Sequence, residues 1–494
     1  MREYAEDRQF VINISEGIKI NKSCEKDAKR STRITEDIIK ILSSNLIRLI
    51  VGIVSGLLIP KFLGIENYAI YKTFGLYVGY VGILHFGFVD GLYIKYGGIN
   101  RGDIPKVQLK SEMLFLLFSQ LAITSLGFAI IIITGYDIKI IIPVCLAIIP
   151  TNMITLYKFL YQATGSFNEY ARLNSIQPIL NLLTIIIILF ILKQNNPYLF
   201  INANLFILYF IFLILFYNSF SNLKNIKSAK IYTAKNINNI TVGIFIMFGN
   251  LSLMLFYSMD RWFVKILLTN IDFAYYSFAV SMMGIVTMLT NSITIAFYPF
   301  LARIGENKNI LTKSYKYLII LGTASSGIFF LFKFVVYKFL PNYILSLDVI
   351  AILFVGLPAI SIINVIYVNL YKIKKLEKKY FFIVISMAII SFIFNSIAVL
   401  IYKSNWTIAI ATTLTFYFWF FYSSNSFESI KINIKDIIYL GLFIIIFYLT
   451  TTFIDNWIIG LLTFLIIMAT INYLLFKEVI KDMILRIRHF SIKN

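Results

Sequence analysis

Six residues carry charge or a titratable ring where the chain around them is otherwise apolar: Arg48, His85, Asp90, Lys158, Asp260 and Arg261. A charge deep in an apolar span costs roughly 2.5–3.5 kcal/mol on insertion scales and rarely faces lipid, so each needs a partner or a water-filled space. Arg48 falls about seven residues inside the run that begins near 41, Asp90 about five from the end of the next run, and Lys158 at a similar depth in a later one. These three share one depth. Asp260 and Arg261 are adjacent in the other half of a later span, with Asn291, Asn364 and Asn369 as further polar residues of that region. Two chemistries fit. In one, Arg48 and Asp90 pair to hold two helices and Lys158 extends to the membrane surface. In the other, the cations line a cavity for an anionic head group, where the planar guanidinium fork matches pyrophosphate and Asp90 tunes and positions it. His85 is either a hydrogen-bonded packing residue or a proton-linked switch.

The elements that must position these groups are membrane spans. With 59% apolar and 14% charged residues in 494, and a mean hydropathy of +0.81, the chain has too little polar material to cover a water-soluble fold. It reads as an all-α polytopic membrane protein. The net charge of +21 is spread through short loops, which favours membrane topology over a nucleic-acid partner. Cys24 and Cys145 do not make a disulfide framework. No GxxxxGK[ST] loop, HExxH pair, Cys/His cluster or GxSxG elbow occurs, so no cofactor, metal or catalytic nucleophile is expected.

Apolar runs of about 20 residues, at about 1.5 Å each, match the roughly 30 Å of a bilayer core. They fall near 41–63, 71–94, 113–134, 138–163, 173–192, 199–219, 240–266, 273–299, 315–340, 347–371, 380–402, 406–424, 437–454 and 457–476. That predicts fourteen transmembrane helices. Taking alternate connections as one side, 35 Lys and Arg lie with the polar leader at 1–40 and only 8 opposite. Both termini are therefore expected in the cytoplasm. The leader has no run long enough for a signal peptide. The tail at 477–494 sets Val479, Ile480, Met483, Ile484 and Ile487 on one helical face, with Lys481, Arg486 and Arg488 elsewhere. It reads as a basic topology anchor or as an amphipathic helix on an anionic leaflet.

Sliding the chain on itself exposes a repeat. At an offset of 205, Asn45, Leu46, Leu63, Ala69, Tyr71 and Gly79 meet Asn250, Leu251, Leu268, Ala274, Tyr276 and Gly284. At 210, LYKFLYQATGSFNEY (156–170) meets IYVNLYKIKKLEKKY (366–380). Six helices separate the copies, so they enter the membrane in the same direction: a 6+6 parallel repeat. The expected organisation is a first lobe at 41–219, a cytoplasmic linker at 220–239, a second lobe at 240–424, and two C-terminal helices at 437–476. Gly52 with Gly56, Gly75 with Gly79 and Gly87 with Gly91 have the GxxxG spacing that lets helices approach closely.

The opening helix ending LLIPKFLGIENYAIY, its counterpart YSMDRWFVKILLTNIDFAYYSFA (257–279) and the LYKFLYQATG segment resemble the polysaccharide-type lipid-linked oligosaccharide flippases, O-antigen flippases among them. That family shares a superfamily with multidrug exporters and the lipid II flippase, and the resemblance covers 41–476. It implies two six-helix lobes in a V, a central cationic cavity, and no enzymatic step. Ion-coupled alternating access would move an undecaprenyl-pyrophosphate-linked oligosaccharide across the bacterial inner membrane. The lipid-linked substrate, the membrane and polysaccharide assembly proteins are the implied partners. The long leader departs from the family's usual short start. A drug or metabolite exporter of the same fold, with a more apolar or acidic cavity, is the alternative. A membrane glycan polymerase is disfavoured by the short outer connections.

Overall fold

The computed structural model describes residues 40–135, 137–221, 234–304, 307–427, 430 and 432–493. The leader and most of the 220–239 linker lie outside these residues, as do most side chains on which the amphipathic reading of the tail rests. Among the described residues every regular element is helical. In chain order they are α1 (Lys40–Leu63), α2 (Ile65–Val81), α3 (Phe88–Tyr96), α4 (Lys106–Thr134), α5 (Ile138–Ala163), α6 (Phe167–Ile186), α7 (Pro197–Ser221), α8 (Ala234–Leu267) and α9 (Asn270–Ile304). Then follow α10 (Lys308–Phe339), α11 (Ser346–Val355) and α12 (Leu357–Ile373). The last are α13 (Glu377–Ile401), α14 (Asn405–Ser424), α15 (Ile434–Phe453) and α16 (Trp457–Lys493).

Eleven of these helices are long and apolar enough to cross a membrane, and up to thirteen spans result if each bent pair counts as one. The chain is a multi-pass membrane protein. The bent pairs are α2 with α3, at 58°, and α11 with α12, at 47°. The remaining difference from fourteen is 406–424, which is helical as α14 but rich in Thr, Tyr and Trp. It packs between α11 and α13, and its buried Thr407, Thr412, Thr413 and Thr415 explain why hydropathy alone understates it.

Turn chemistry at the ends follows the sequence. Gly64 takes φ 74° between α1 and α2, a left-handed angle that glycine adopts without strain. The segments matched at an offset of 210 end in the same turn. Thr164, Gly165 and Ser166 donate to the carbonyls of Leu160, Gln162 and Tyr161, and Lys374, Lys375 and Leu376 donate to those of Leu370, Lys372 and Tyr371. Gly165 and Lys375 both have positive φ, 67° and 53°. A left-handed residue closing a helix is a widespread C-terminal device, and here it recurs at the sequence-matched position.

Two apolar cores result. One joins α3, α4, α5 and α7 around Phe88, Leu116, Met153, Tyr157 and Ile211. The other joins α9 to α16 around Tyr315, Phe354, Tyr367 and Phe420, and extends to Ile59, Leu63, Tyr68, Ile188 and Phe200 of the first half. The two halves of the chain therefore share apolar core at the ends opposite the basic loops.

Candidate functional site

The first half holds a polar cavity that the sequence located in part. Two adjoining spaces, of about 330 Å³ and about 290 Å³, share Tyr71, Lys158 and Gln177 in their walls. The first adds Lys72, Thr151, Thr155 and Asn204. The second adds Arg48, Ser55, Asn174 and Asn181. No Asp or Glu lines either space. The ion pairs of the described residues lie elsewhere, at Lys95–Glu112, Arg101–Glu169 and Lys313–Asp482, as does the close His85–Asp90 approach. Three cations thus face a polar, uncompensated volume, a distribution that attracts anions and costs least when one is bound.

Arg48 is oriented by α6: its Nη1 donates to Asn174 Oδ1 at 3.4 Å, and Asn174 in turn donates to Ser44 Oγ and Asn45 Oδ1. Lys158 enters from α5 and lies within electrostatic range of Arg48. Lys72 is at the very edge of the predicted span 71–94 and counts among the eight basic residues on the side opposite the leader. In the structure it is two turns inside α2, because that helix begins at Ile65 rather than 71. Its Nζ donates to Ser281 Oγ of α9 at 2.8 Å and sits 5.3 Å from the Tyr68 ring centroid. Arg261 lies within electrostatic range of Lys72, and its Nε is buried with no hydrogen-bond partner.

The other site candidates fall elsewhere. Asp90 does not meet Arg48. It accepts from Asn250 Nδ2 of α8 at 3.4 Å and lies 3.8 Å from His85 Nε2. Equal depth on two helices does not fix the direction in which each side chain leaves its axis, and here the two point to different neighbours. His85 occupies the break between α2 and α3, where its Nδ1 accepts the Gly87 N–H at 3.1 Å. Asp260 is buried, accepts from the Tyr276 hydroxyl at 2.9 Å and the Arg261 N–H at 2.7 Å, and lines neither space.

The break itself has a polar support that sequence reading passed over. Phe86 and Gly87 both take left-handed angles, φ 49° and 80°, after a short 3₁₀ turn from Gly82 to His85. Carbonyls freed in a low-dielectric region need new donors. Asn152 Nδ2 reaches Val81 O at 3.2 Å and Gln120 Oε1 at 2.7 Å, while Gln120 Nε2 reaches Leu84 O at 3.2 Å. A lone Asn and a lone Gln in two apolar spans were the only signal available.

Two contacts join helices of the two halves, and neither α3 nor α8 lines either space. Toward the basic loops, α3 crosses α8 with backbone against backbone. A Cβ on Gly91 would lie 1.9 Å from Asn239 O, and one on Gly243 would lie 2.0 Å from Gly87 O. Of the glycine pairs, Gly87 with Gly91 is therefore a true close approach, and Gly52 with Gly56 meets Met288 and Met282 side chains of α9. Gly75 and Gly79 face open space, with Gly75 in the cavity wall, so the packing role expected of that pair is corrected. At the other end α2 meets α9 through Lys72–Ser281 and an aromatic group. Tyr343 contacts Tyr68, Tyr275 and Phe278 with ring centroids 5.6, 6.1 and 4.8 Å away.

Among the described residues, no group of three or more His, Cys, Asp or Glu could hold a metal ion. No family model matches the chain, and no curated protein matches it. Among solved structures it is similar to the lipid II flippase MurJ in an inward closed conformation, with a TM-score of 0.62 and 16% identity over 90% of this chain and 100% of that one. It is also similar to a multidrug resistance MATE transporter of the MOP superfamily in an inward-facing conformation, with a TM-score of 0.51 and 15% identity over 79% of this chain and 98% of that one. At these identities the likeness is one of fold: the chain folds as the MOP-superfamily transporters do.

Proposed function

We propose that this protein flips an undecaprenyl-pyrophosphate-linked oligosaccharide across the bacterial inner membrane by alternating access, for surface polysaccharide assembly. The observation that carries the reading is the carboxylate-free cavity lined by Arg48, Lys72 and Lys158. Its fold-level likeness to a lipid II flippase agrees with such a substrate, and the distribution of Lys and Arg along the loops agrees with basic connections facing the cytoplasm. Arg48 would grip the diphosphate through its two-pronged guanidinium, with Asn174 fixing the fork and Lys158 adding a second positive point. The amino-terminal lobe, 41–219, would carry the head-group site. The second lobe, 240–424, would move against it to expose the site to each leaflet in turn.

Cells lacking the protein are expected to accumulate lipid-linked glycan accessible only from the cytoplasmic side, with its synthesis intact. Arg48→Ala should behave as the deletion while reaching the membrane at normal levels. Arg48→Lys should retain part of the activity, because a point charge replaces the fork. Surface glycan left intact in the deletion, together with sensitivity to cationic dyes, would establish a drug exporter instead.

A further inference from the structure

Lys72 belongs at once to the cavity and to a seal. It lines the same space as Lys158, yet its ammonium holds Ser281 across the α2–α9 contact at 2.8 Å. Ser281 donates its own proton to Ser277 O at 2.7 Å, so its oxygen is free to accept from Lys72. The latch is a charged donor on a neutral hydroxyl. An anionic oxygen is the better acceptor, since it adds a charge–charge attraction to the hydrogen bond. Arg261 lies in electrostatic range of Lys72, which raises the cation density that an anion would relieve.

We propose that Lys72 is a ligand-released latch: a diphosphate bound in the cavity draws its ammonium away from Ser281 and frees α2 from α9 on the face opposite the basic loops. The inference rests on the reading of the cavity as a pyrophosphate site. A ligand shifts a conformational equilibrium only by its difference in affinity between the two states, and Lys72 supplies that difference. In the closed state one of the three cavity cations is engaged with Ser281. In the open state all three turn to the ligand. Apart from the Tyr68 hydroxyl, which also faces Ser281, the other contacts described at this seal are aromatic, so Lys72–Ser281 is its charged part and the one that the chemistry of the ligand can address.

The test uses the full-length protein in lipid nanodiscs, with spin labels on Glu66→Cys and Ile271→Cys, at the first turns of α2 and α9, in a Cys24→Ser, Cys145→Ala background. Inorganic pyrophosphate and farnesyl pyrophosphate are the probes, with farnesol as the uncharged control. Both pyrophosphates should lengthen the label separation, and farnesol should not. Ser281→Ala should show the longer separation without any ligand. Lys72→Gln should bind pyrophosphate at least about tenfold more weakly, as the loss of one charged hydrogen bond implies, and its separation should no longer respond. If calorimetry shows pyrophosphate binding to the wild type with the separation unchanged, or if Ser281→Ala matches the wild type, the latch is wrong while the cavity reading stands. Absence of pyrophosphate binding to the wild type overturns both.

Discussion

The two contacts that join the halves are built from different materials. Toward the basic loops, α3 and α8 touch through glycine backbone, with Asp90 and Asn250 as a polar clasp beside the contact. On the opposite face, α2 and α9 touch through side chains, among them Tyr68, Tyr343, Phe278, Lys72 and Ser281. A backbone seal is nearly all or none, because there are no rotamers to rearrange. A side-chain seal can loosen in steps, and its polar member is within reach of whatever fills the cavity. The difference suggests a division of labour in which one end closes by shape and the other by chemistry.

The comparison breaks most directly at Gly91. In Gly91→Leu the new side chain has no space, since even a Cβ would overlap Asn239 O. Overpacking costs about 1–3 kcal/mol or more where neighbours cannot move, which is a shift of at least about fivefold away from the closed contact. Spin labels across the α3–α8 contact should report an open distribution, with transport reduced accordingly; an unchanged distribution with wild-type transport would show that the contact is not a seal. At the other end, Tyr343→Ala removes a fully buried ring from the aromatic group. A loss of about 3–5 kcal/mol is the expected scale for truncating such a ring, and the α2–α9 separation should broaden while α3–α8 stays shut. Equal loosening of both ends in a thermal and distance assay would mean that the seals are not independent.

Two smaller effects sharpen the picture. Asn152→Leu strands the Val81 carbonyl and the Gln120 side chain at the helix break, for which about 1–3 kcal/mol of lost stability is expected. A thermal midpoint in detergent equal to that of the wild type would show that the break does not need this support. The smallest effect concerns Arg48 and Asp90, which have separate partners, Asn174 for one and His85 with Asn250 for the other. The losses of thermal stability in Arg48→Ala and Asp90→Asn should add in the double variant to within about 0.5 kcal/mol. Recovery of transport in the double variant would reveal a direct pair in another state of the protein.

Arg48 and Lys158 were legible as cavity residues because burial cost singles out charges inside apolar runs, and both do face one polar space. Lys72 was not singled out, because a span starting at 71 puts it at the membrane edge, while the helix takes in Ile65, Glu66 and Asn67 ahead of the most apolar stretch and so carries Lys72 inward. Gln120 and Asn152 looked like incidental polar residues until the break they serve was visible. Gly87–Gly91 and Gly75–Gly79 have identical spacing, yet only the first pair meets another backbone.

What the sequence determined by itself is whatever depends on distance along a helix axis: that the chain is helical and membrane-spanning, roughly where each span runs, and that two segments 210 residues apart match. Hydrophobic periodicity and charge bias act locally along the chain, so they are readable from it. What the tertiary structure alone decided is direction around those axes and choice of neighbour. Asp90 turns to His85 and Asn250 rather than Arg48, Lys72 turns to Ser281, and α3 rather than α2 meets α8 through glycine. Those choices are made by packing among helices remote in sequence, where a rotation that leaves depth unchanged is enough to exchange one partner for another.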